Sequence, residues 1–368
     1  MSNFWLDLKN KKEGPFFALA PMADVTDPAF RLLITKYGKP DVMWTEFVSA
    51  NGLNSKGREA LKRDLEYSEI ERPIVAQLFS SDPISMREAS KLCAELGFDG
   101  IDINMGCPDK TIEKQGSGAG MIKTPEIAKT IIQAVKDGIE EAVVKSASRR
   151  IPVSVKTRVG YYTPAIKEWI GMILNQNIST LTVHARTRKD LSKVPANWDY
   201  IKEVVELKNK ISPNTVIIGN GDVVSILDGK QKAKYSGADG VMVGRALFGN
   251  PWFFDESREI VATLPKRAPW ILRKLPFIKR FFDTKRSAAV SNVKPISIKE
   301  RLETMVEHCE MFESMLGDIK NFSIMKKHIK AYVIGFPGAK ELRVDLMENA
   351  NNSKDVKAIV ERFLTSKS

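Results

Sequence analysis

A single cysteine stands on a turn built to display it. In Gly100-Ile-Asp-Ile-Asn-Met-Gly-Cys-Pro-Asp109, Ile101 and Ile103 bracket Asp102, and the apolar pattern stops at Asn104, Gly106 and Pro108. Glycine and proline keep regular pairing from continuing, so Cys107 is expected on a loop just past a strand end. That is where α/β enzymes keep reactive groups. The turn alone fits either a reactive thiol or a small buried filler. Polar or conformationally special groups follow the other apolar runs too: Pro21-Met22-Ala23, Gln77, Lys156 with Arg158, His184 with Arg186, Asn220-Gly221-Asp222 and Gly244-Arg245. Singly, each has an ordinary explanation, such as Lys156 snorkelling or His184 as a hydrogen-bonded core histidine. Their joint placement is what points to a site. Gly219-Asn-Gly-Asp222 and Gly244-Arg245 close the last two runs. Glycine there lets backbone N–H groups approach a phosphate, and Arg245 adds a planar fork of donors. The expected ligand is a phosphorylated cofactor or substrate.

The elements that must carry these residues alternate regularly. Strands are expected at 16–20, 42–47, 74–79, 100–104, 152–158, 181–184, 215–219 and 240–244. Helical segments separate them. Asp27 before Pro28 and Asp82 before Pro83 are N-caps with proline at the first helical position. Near-continuous apolar strands alternating with helices indicate a parallel sheet buried on both faces. Eight such units in ~250 residues fit a (β/α)8 TIM barrel better than an open doubly wound sheet, although a miscount by one strand leaves the open sheet viable. The pattern gives a barrel over 1–263, a basic and aromatic linker or insertion over 264–296, and a small C-terminal α-helical bundle over 297–368. The linker holds Lys266, Arg267, Arg273, Lys274, Lys279, Arg280, Lys285 and Arg286 against a single acid, Asp283, with Trp270, Phe277, Phe281 and Phe282 interleaved. Such a stretch could dock RNA phosphates and stack bases, or be a solvated connector.

The totals narrow the partners. The chain has 368 residues and a formal net charge of +12, a basic balance that favours polyanions by counterion release. No run approaches the ~18 apolar residues needed to span a bilayer, and no secretory leader is visible, so no membrane is expected. Cys93, Cys107 and Cys309 share no metal-ligand spacing and leave an odd count. Neither a disulfide framework nor a metal site is expected, and a reducing, cytoplasmic setting fits best.

The motifs together resemble the tRNA-dihydrouridine synthases, FMN-dependent barrel enzymes, in their bacterial form. The resemblance rests on Ala20-Pro-Met-Ala23 with Thr26-Asp27, Gln77-Leu-Phe79, Asp102-Ile-Asn-Met-Gly-Cys-Pro108, Val155-Lys-Thr-Arg158, His184-Ala-Arg-Thr-Arg188, Gly219-Asn-Gly-Asp222 and Gly244-Arg245-Ala246. A late run, Lys327-His-Ile-Lys-Ala-Tyr332 followed by Gly338-Ala-Lys-Glu-Leu-Arg343, resembles the family's C-terminal helical domain. The resemblance implies reduction of the C5–C6 double bond of specific tRNA uridines, driven by NADPH through bound FMN, in a monomer. Cys107 would be the general acid that protonates C5 as hydride reaches C6. A thiol near its ordinary pKa of ~8.5 is protonated at neutral pH and able to donate. Pro21, Met22 and Ala23 would line the flavin, Gln77 and Lys156 would bond its ring, and His184 would lie against it. Asn220, Gly221, Asp222, Gly244 and Arg245 would hold its phosphate. Asn104 could orient the base or support the cysteine turn, and Arg158, Arg186, Lys327, His328 and Arg343 are further candidates to touch the substrate. The chain departs from the family in the long basic linker and in Lys326, where arginine is common. A small-molecule pyrimidine or enoate reductase on the same flavin barrel is the alternative enzyme. An RNA-binding protein without flavin is the non-enzymatic one.

Overall fold

The computed structural model describes residues 3–11, 13–260 and 293–366. Eight parallel strands form one sheet: β1 (Phe16–Leu19), β2 (Met43–Ser49), β3 (Ile74–Phe79), β4 (Gly100–Met105), β5 (Val153–Arg158), β6 (Thr180–His184), β7 (Val216–Asn220) and β8 (Gly240–Val243). Each lies within two residues of its expected position. β1 pairs with β8, and a bridge from Ala18 to Val42 joins β1 to the strand that follows it, so the sheet closes on itself. This is the (β/α)8 barrel, not the open sheet.

Local chemistry sets the helix starts. Asp27 accepts from the Phe30 N–H at 2.8 Å ahead of the helix Pro28–Gly38, and Asp82 caps Pro83–Glu95 in the same way. Such caps each contribute ~1 kcal/mol. The expected helix at 164–176 instead contains a π-helical turn, Ile166–Ile170, running into Gly171–Leu174.

The barrel interior is filled at one end by a cluster that includes Phe16, Ala18, Trp44, Val75, Val216, Ile218 and Met242. Trp5, from the helix Phe4–Lys11, completes it, with its ring 5.4 Å from that of Trp44. This helix has no counterpart among the elements expected from sequence, because its apolar face becomes meaningful only against the barrel floor. Filling one end with aromatics leaves the carboxyl ends of the strands for polar groups.

Contacts divide the chain into two compact units, Met1–Ala246 and Leu247–Ser368. Residues 247–260 therefore go with the second unit, whereas the sequence pattern extends the barrel to 263. Of the basic, aromatic stretch 264–296, residues 264–292 lie outside the described residues. Lys294–Ile296 pairs in parallel with Arg258–Ile260. The second unit holds the helices Ile298–Leu316, Met325–Tyr332, Ala339–Asn349 and Ser353–Thr365. Among the described residues no helix is long and apolar enough to cross a membrane, and no cluster of residues suits a metal ion.

Candidate active site

Strand register places the polar residues in layers. Gln77 of β3 stands opposite Asp102 of β4, and Asp102 opposite Ser154 of β5. One step up, Asn104 faces Lys156; higher still, Arg158 faces His184 and His184 faces Asn220. Alternation along a strand sends Asp102 and Asn104 to one face and Ile101 and Ile103 to the other. The apolar pair bracketing Asp102 in the sequence thus faces the helices, and the polar pair faces the barrel axis.

The cysteine turn is held by side chains from two strands, β4 and β5. Asn104 Oδ1 accepts from the backbone N–H of Gly106 at 3.1 Å and of Cys107 at 2.9 Å. Arg158 Nε donates to the Gly106 carbonyl at 2.8 Å, and its Nη1 reaches the carbonyls of Thr187 and Leu191. Arg188 ties down the next segment, donating to Glu113 at 2.7 Å and to the Pro108 carbonyl at 3.4 Å. At Gly118, with φ +59°, an added Cβ would come within 2.8 Å of the Cys107 carbonyl, so only glycine fits under the turn. Burial pushes the partly buried Cys107 thiol upward in pKa, outweighing Lys156 and Arg158, which pull it down. The group is a thiol at neutral pH.

Cations crowd the same end of the barrel. Burial and Arg158 lower Lys156 to a pKa of about 8, with Asp102 and Cys107 acting in the opposite sense. Its ammonium makes one hydrogen bond among the described residues, a long 3.5 Å contact to Asn220 Oδ1. His184 is held well below the usual histidine range by burial and by Arg158, Lys156, Arg186 and Arg245. It is neutral, and its Nε2 lies 3.0 Å from Arg186 Nη1, a donor-only group, so the ring proton belongs on Nδ1.

The loops after β7 and β8 are joined by a carboxylate. Asp222 accepts from Arg245 Nη2 at 2.6 Å, from the Ala196 N–H at 2.9 Å and from Arg186. Burial works against its charge, but these donors hold its pKa below the ordinary carboxylate value. Arg245 remains 62% exposed, so most of its fork is turned to solvent. Gly221 has φ +132°, and a Cβ there would lie 2.7 Å from Ala196. A Cβ on Gly244 would sit 3.2 Å from Met22 Sδ, which brings the β8 loop against Pro21-Met22-Ala23. That last loop is shaped by Thr26, which accepts from the Met22 N–H at 2.9 Å.

The site residues expected on the barrel are brought together over β1 and β3–β8, but not all in the expected way, and Lys327, His328 and Arg343 belong to the second unit. Gln77 is wholly buried, and both ends of its amide are engaged: Nε2 donates to Asp102 at 2.6 Å and Oε1 accepts from Asn104 at 3.0 Å. Arg158 and Arg186, candidates to touch substrate, are 6% and 2% exposed and committed to loop carbonyls and Asp222. His328 is buried in the helical unit, stacked on Phe248 at 5.5 Å. Lys327 and Arg343 are partly buried there. Lys326 braces the unit by donating to the Met347 carbonyl at 2.8 Å. Residues that sequence reasoning missed are Ser154, Glu113 and Trp198, whose indole N–H donates to the Gly221 carbonyl at 3.0 Å. None carries a local signal, since each acts across loops distant in sequence.

A family model described as dihydrouridine synthase (Dus) matches residues 18–368. A probable tRNA-dihydrouridine synthase of Staphylococcus aureus (strain COL) is 36% identical over 365 residues, covering 98% of this chain and 95% of the relative. Probable tRNA-dihydrouridine synthase 2 of Bacillus subtilis (strain 168) is 35% identical over 364 residues, covering 98% and 96%.

Proposed function

This chain belongs to the dihydrouridine synthase family, and on that premise we propose that it reduces uridines in tRNA to 5,6-dihydrouridine, with FMN as bound cofactor and NADPH as electron donor. The observation that carries this reading is the placement of Cys107. Its thiol, kept protonated by burial, sits on a turn fastened by Asn104 and Arg158 at the end of the barrel where Lys156, Arg186 and Arg245 concentrate positive charge.

An anionic flavin suits the donors present. Among the described residues, the partly buried ammonium of Lys156 has one long bond to protein, which calls for another acceptor. The exposed fork of Arg245 and the backbone at Gly221 and Gly244 suit a terminal phosphate, which Lys156 and Arg186 would favour at longer range. Asp222 acts here by aiming Arg245 rather than by meeting a phosphate, since its carboxylate is taken up by arginines. Bound FMN would supply the hydride for C6 of the uracil. Cys107 gives its Sγ proton to C5, which completes the addition of hydride and proton across the double bond, and the thiolate regains a proton from solvent. Neutral His184 adds no charge to the site and keeps its Nδ1–H as a donor for a ligand. The basic balance of the chain draws in tRNA. The target uridine must leave its stack to reach a barrel mouth.

The test is the dihydrouridine content of tRNA from a strain lacking this gene. Loss at one or more positions is expected; unchanged content, with no second enzyme of the family present, would sink the proposal.

A further inference from the structure

We propose that Asp102 is a positioning residue for the Cys107 turn, acting through a one-way relay of side-chain hydrogen bonds. The relay starts at Ser154, whose hydroxyl donates to Asp102 Oδ1 at 2.6 Å. Gln77 Nε2 donates to Asp102 Oδ2 at 2.6 Å, Asn104 Nδ2 donates to Gln77 Oε1 at 3.0 Å, and Asn104 Oδ1 accepts from the Cys107 N–H at 2.9 Å. All four side chains are buried.

The direction of this chain follows from its ends. Backbone N–H groups of Gly106 and Cys107 only donate, so Asn104 must turn its oxygen to them. Its amide nitrogen then needs an acceptor, which obliges Gln77 to present Oε1 and turn Nε2 the other way. An ionised carboxylate accepts only, so Asp102 locks that orientation from behind. Replace it by a group without an acceptor, and Gln77 gains nothing by holding this rotamer. Asn104 is then free to flip and release the turn.

Bland barrel packing does not account for Asp102. Barrel interiors are mostly layers of branched apolar side chains, and a hydrophobic residue of similar size is often as stable as a buried charge or more so. A carboxylate with no exposed surface at this layer is therefore costly unless its acceptor character is used. Register provides the means: Gln77, Asp102 and Ser154 are cross-strand neighbours, and Asn104 lies two residues beyond Asp102 on the same face. The effect on turnover rests on the reading of Cys107 as proton donor; the effect on the thiol's surroundings does not.

The experiment measures alkylation of Cys107 by iodoacetamide in the full-length, flavin-containing protein, followed by peptide mass analysis, beside steady-state kinetics on tRNA. Cys93 and Cys309 are fully buried and serve as internal controls for general loosening. Asp102→Leu is expected to speed Cys107 labelling at least fivefold and lower kcat at least tenfold with KM little changed. Asp102→Asn should label within twofold of the parent, because its Oδ1 can replace the lost acceptor while Ser154 turns to the Ile101 carbonyl, already 3.3 Å away. Gln77→Glu should label fast, since it sets carboxylate against carboxylate. The double variant Asp102→Asn with Gln77→Glu should return within twofold of the parent. There the new amide at position 102 donates to the new carboxylate at position 77, which still accepts from Asn104. Parent-like labelling of both Asp102→Leu and Gln77→Glu would overturn the relay. So would a double variant as fast as Gln77→Glu, or labelling that rises equally at Cys93 and Cys309. Should Asp102→Leu not fold, the Gln77→Glu pair decides alone. Should Cys107→Ala keep full turnover, the proton-donor reading fails while the labelling series still decides the relay.

Discussion

Asn104 Oδ1 lies 2.9 Å from the backbone nitrogen of Cys107, and the same oxygen also receives the Gly106 N–H. One acceptor thus holds two successive donors of a turn that has no sheet partner of its own. Asn104→Ala removes it and leaves both N–H groups unpaired, at a cost of ~1–3 kcal/mol. Its kcat should fall ~100-fold, because a misplaced acid loses most of the benefit of proton transfer. Denaturant unfolding and steady-state kinetics on tRNA check the two effects separately.

Cys107→Ala should fold and keep its flavin absorbance, since the partly buried thiol gives up little beyond a hydrogen bond with the Asp109 backbone. Turnover should drop by ~10²–10⁴, the usual worth of a general acid. A variant with full activity would remove Cys107 from the chemistry.

Lys156, with a pKa of about 8 in the protein without ligand, is an ammonium at neutral pH and a neutral amine above that value. The charged form favours an anionic ligand, so FMN affinity of the apoprotein should decline as pH rises through about 8. Lys156→Gln should bind FMN more weakly at neutral pH and show little further change as the solution is made alkaline. Fluorescence titration across that range is the measurement. A parent protein with pH-independent affinity would contradict this role.

Asp222 and Arg245 separate stability from ligand binding. Arg245→Ala removes a mostly exposed side chain, so Tm should barely move, while FMN affinity should fall roughly tenfold with a lost charge-assisted bond. Asp222→Ala leaves Arg186, which is 2% exposed, without its carboxylate, and should lower stability by ~2 kcal/mol or more. Thermal unfolding with and without FMN distinguishes them.

Asp102 should leave a signature in the pH dependence of stability. Burial raises its pKa to about 6, against the opposing pull of Gln77, Ser154, Lys156 and Trp44. An unfolded chain releases that proton near ~3.9. Because the folded value is the higher one, the folded state binds the proton more tightly. The associated stability is full below ~4 and is lost as pH rises through about 6. Asp102→Asn, which does not titrate, should therefore gain stability relative to the parent between about pH 4 and about pH 7.5. An equal Tm difference at both pH values would mean that the carboxyl is not perturbed.

The sequence by itself determined the eight strands, the capped helix starts and the strand-end positions of the site. Those features depend on neighbours within a few residues: β-branched runs, Asp-Pro caps and glycine turns. Cys107, Lys156, His184 and Gly221 could be located for that reason, and the family motifs followed from them. Tertiary structure decided which way each polar group faces. Arg158 and Arg186 read equally well as hands reaching for substrate, yet loop carbonyls 29 and 8 residues away occupy them. Asp222 reads as part of a phosphate loop, yet it braces Arg245 from 23 residues away. Trp5 plugs a barrel floor that does not exist until the sheet closes. The link from Asp102 through Gln77 and Asn104 to Cys107 depends on register across strands 25 and more residues apart. Barrel closure sets that register, because every strand must satisfy two neighbours at once, and no local pattern contains it.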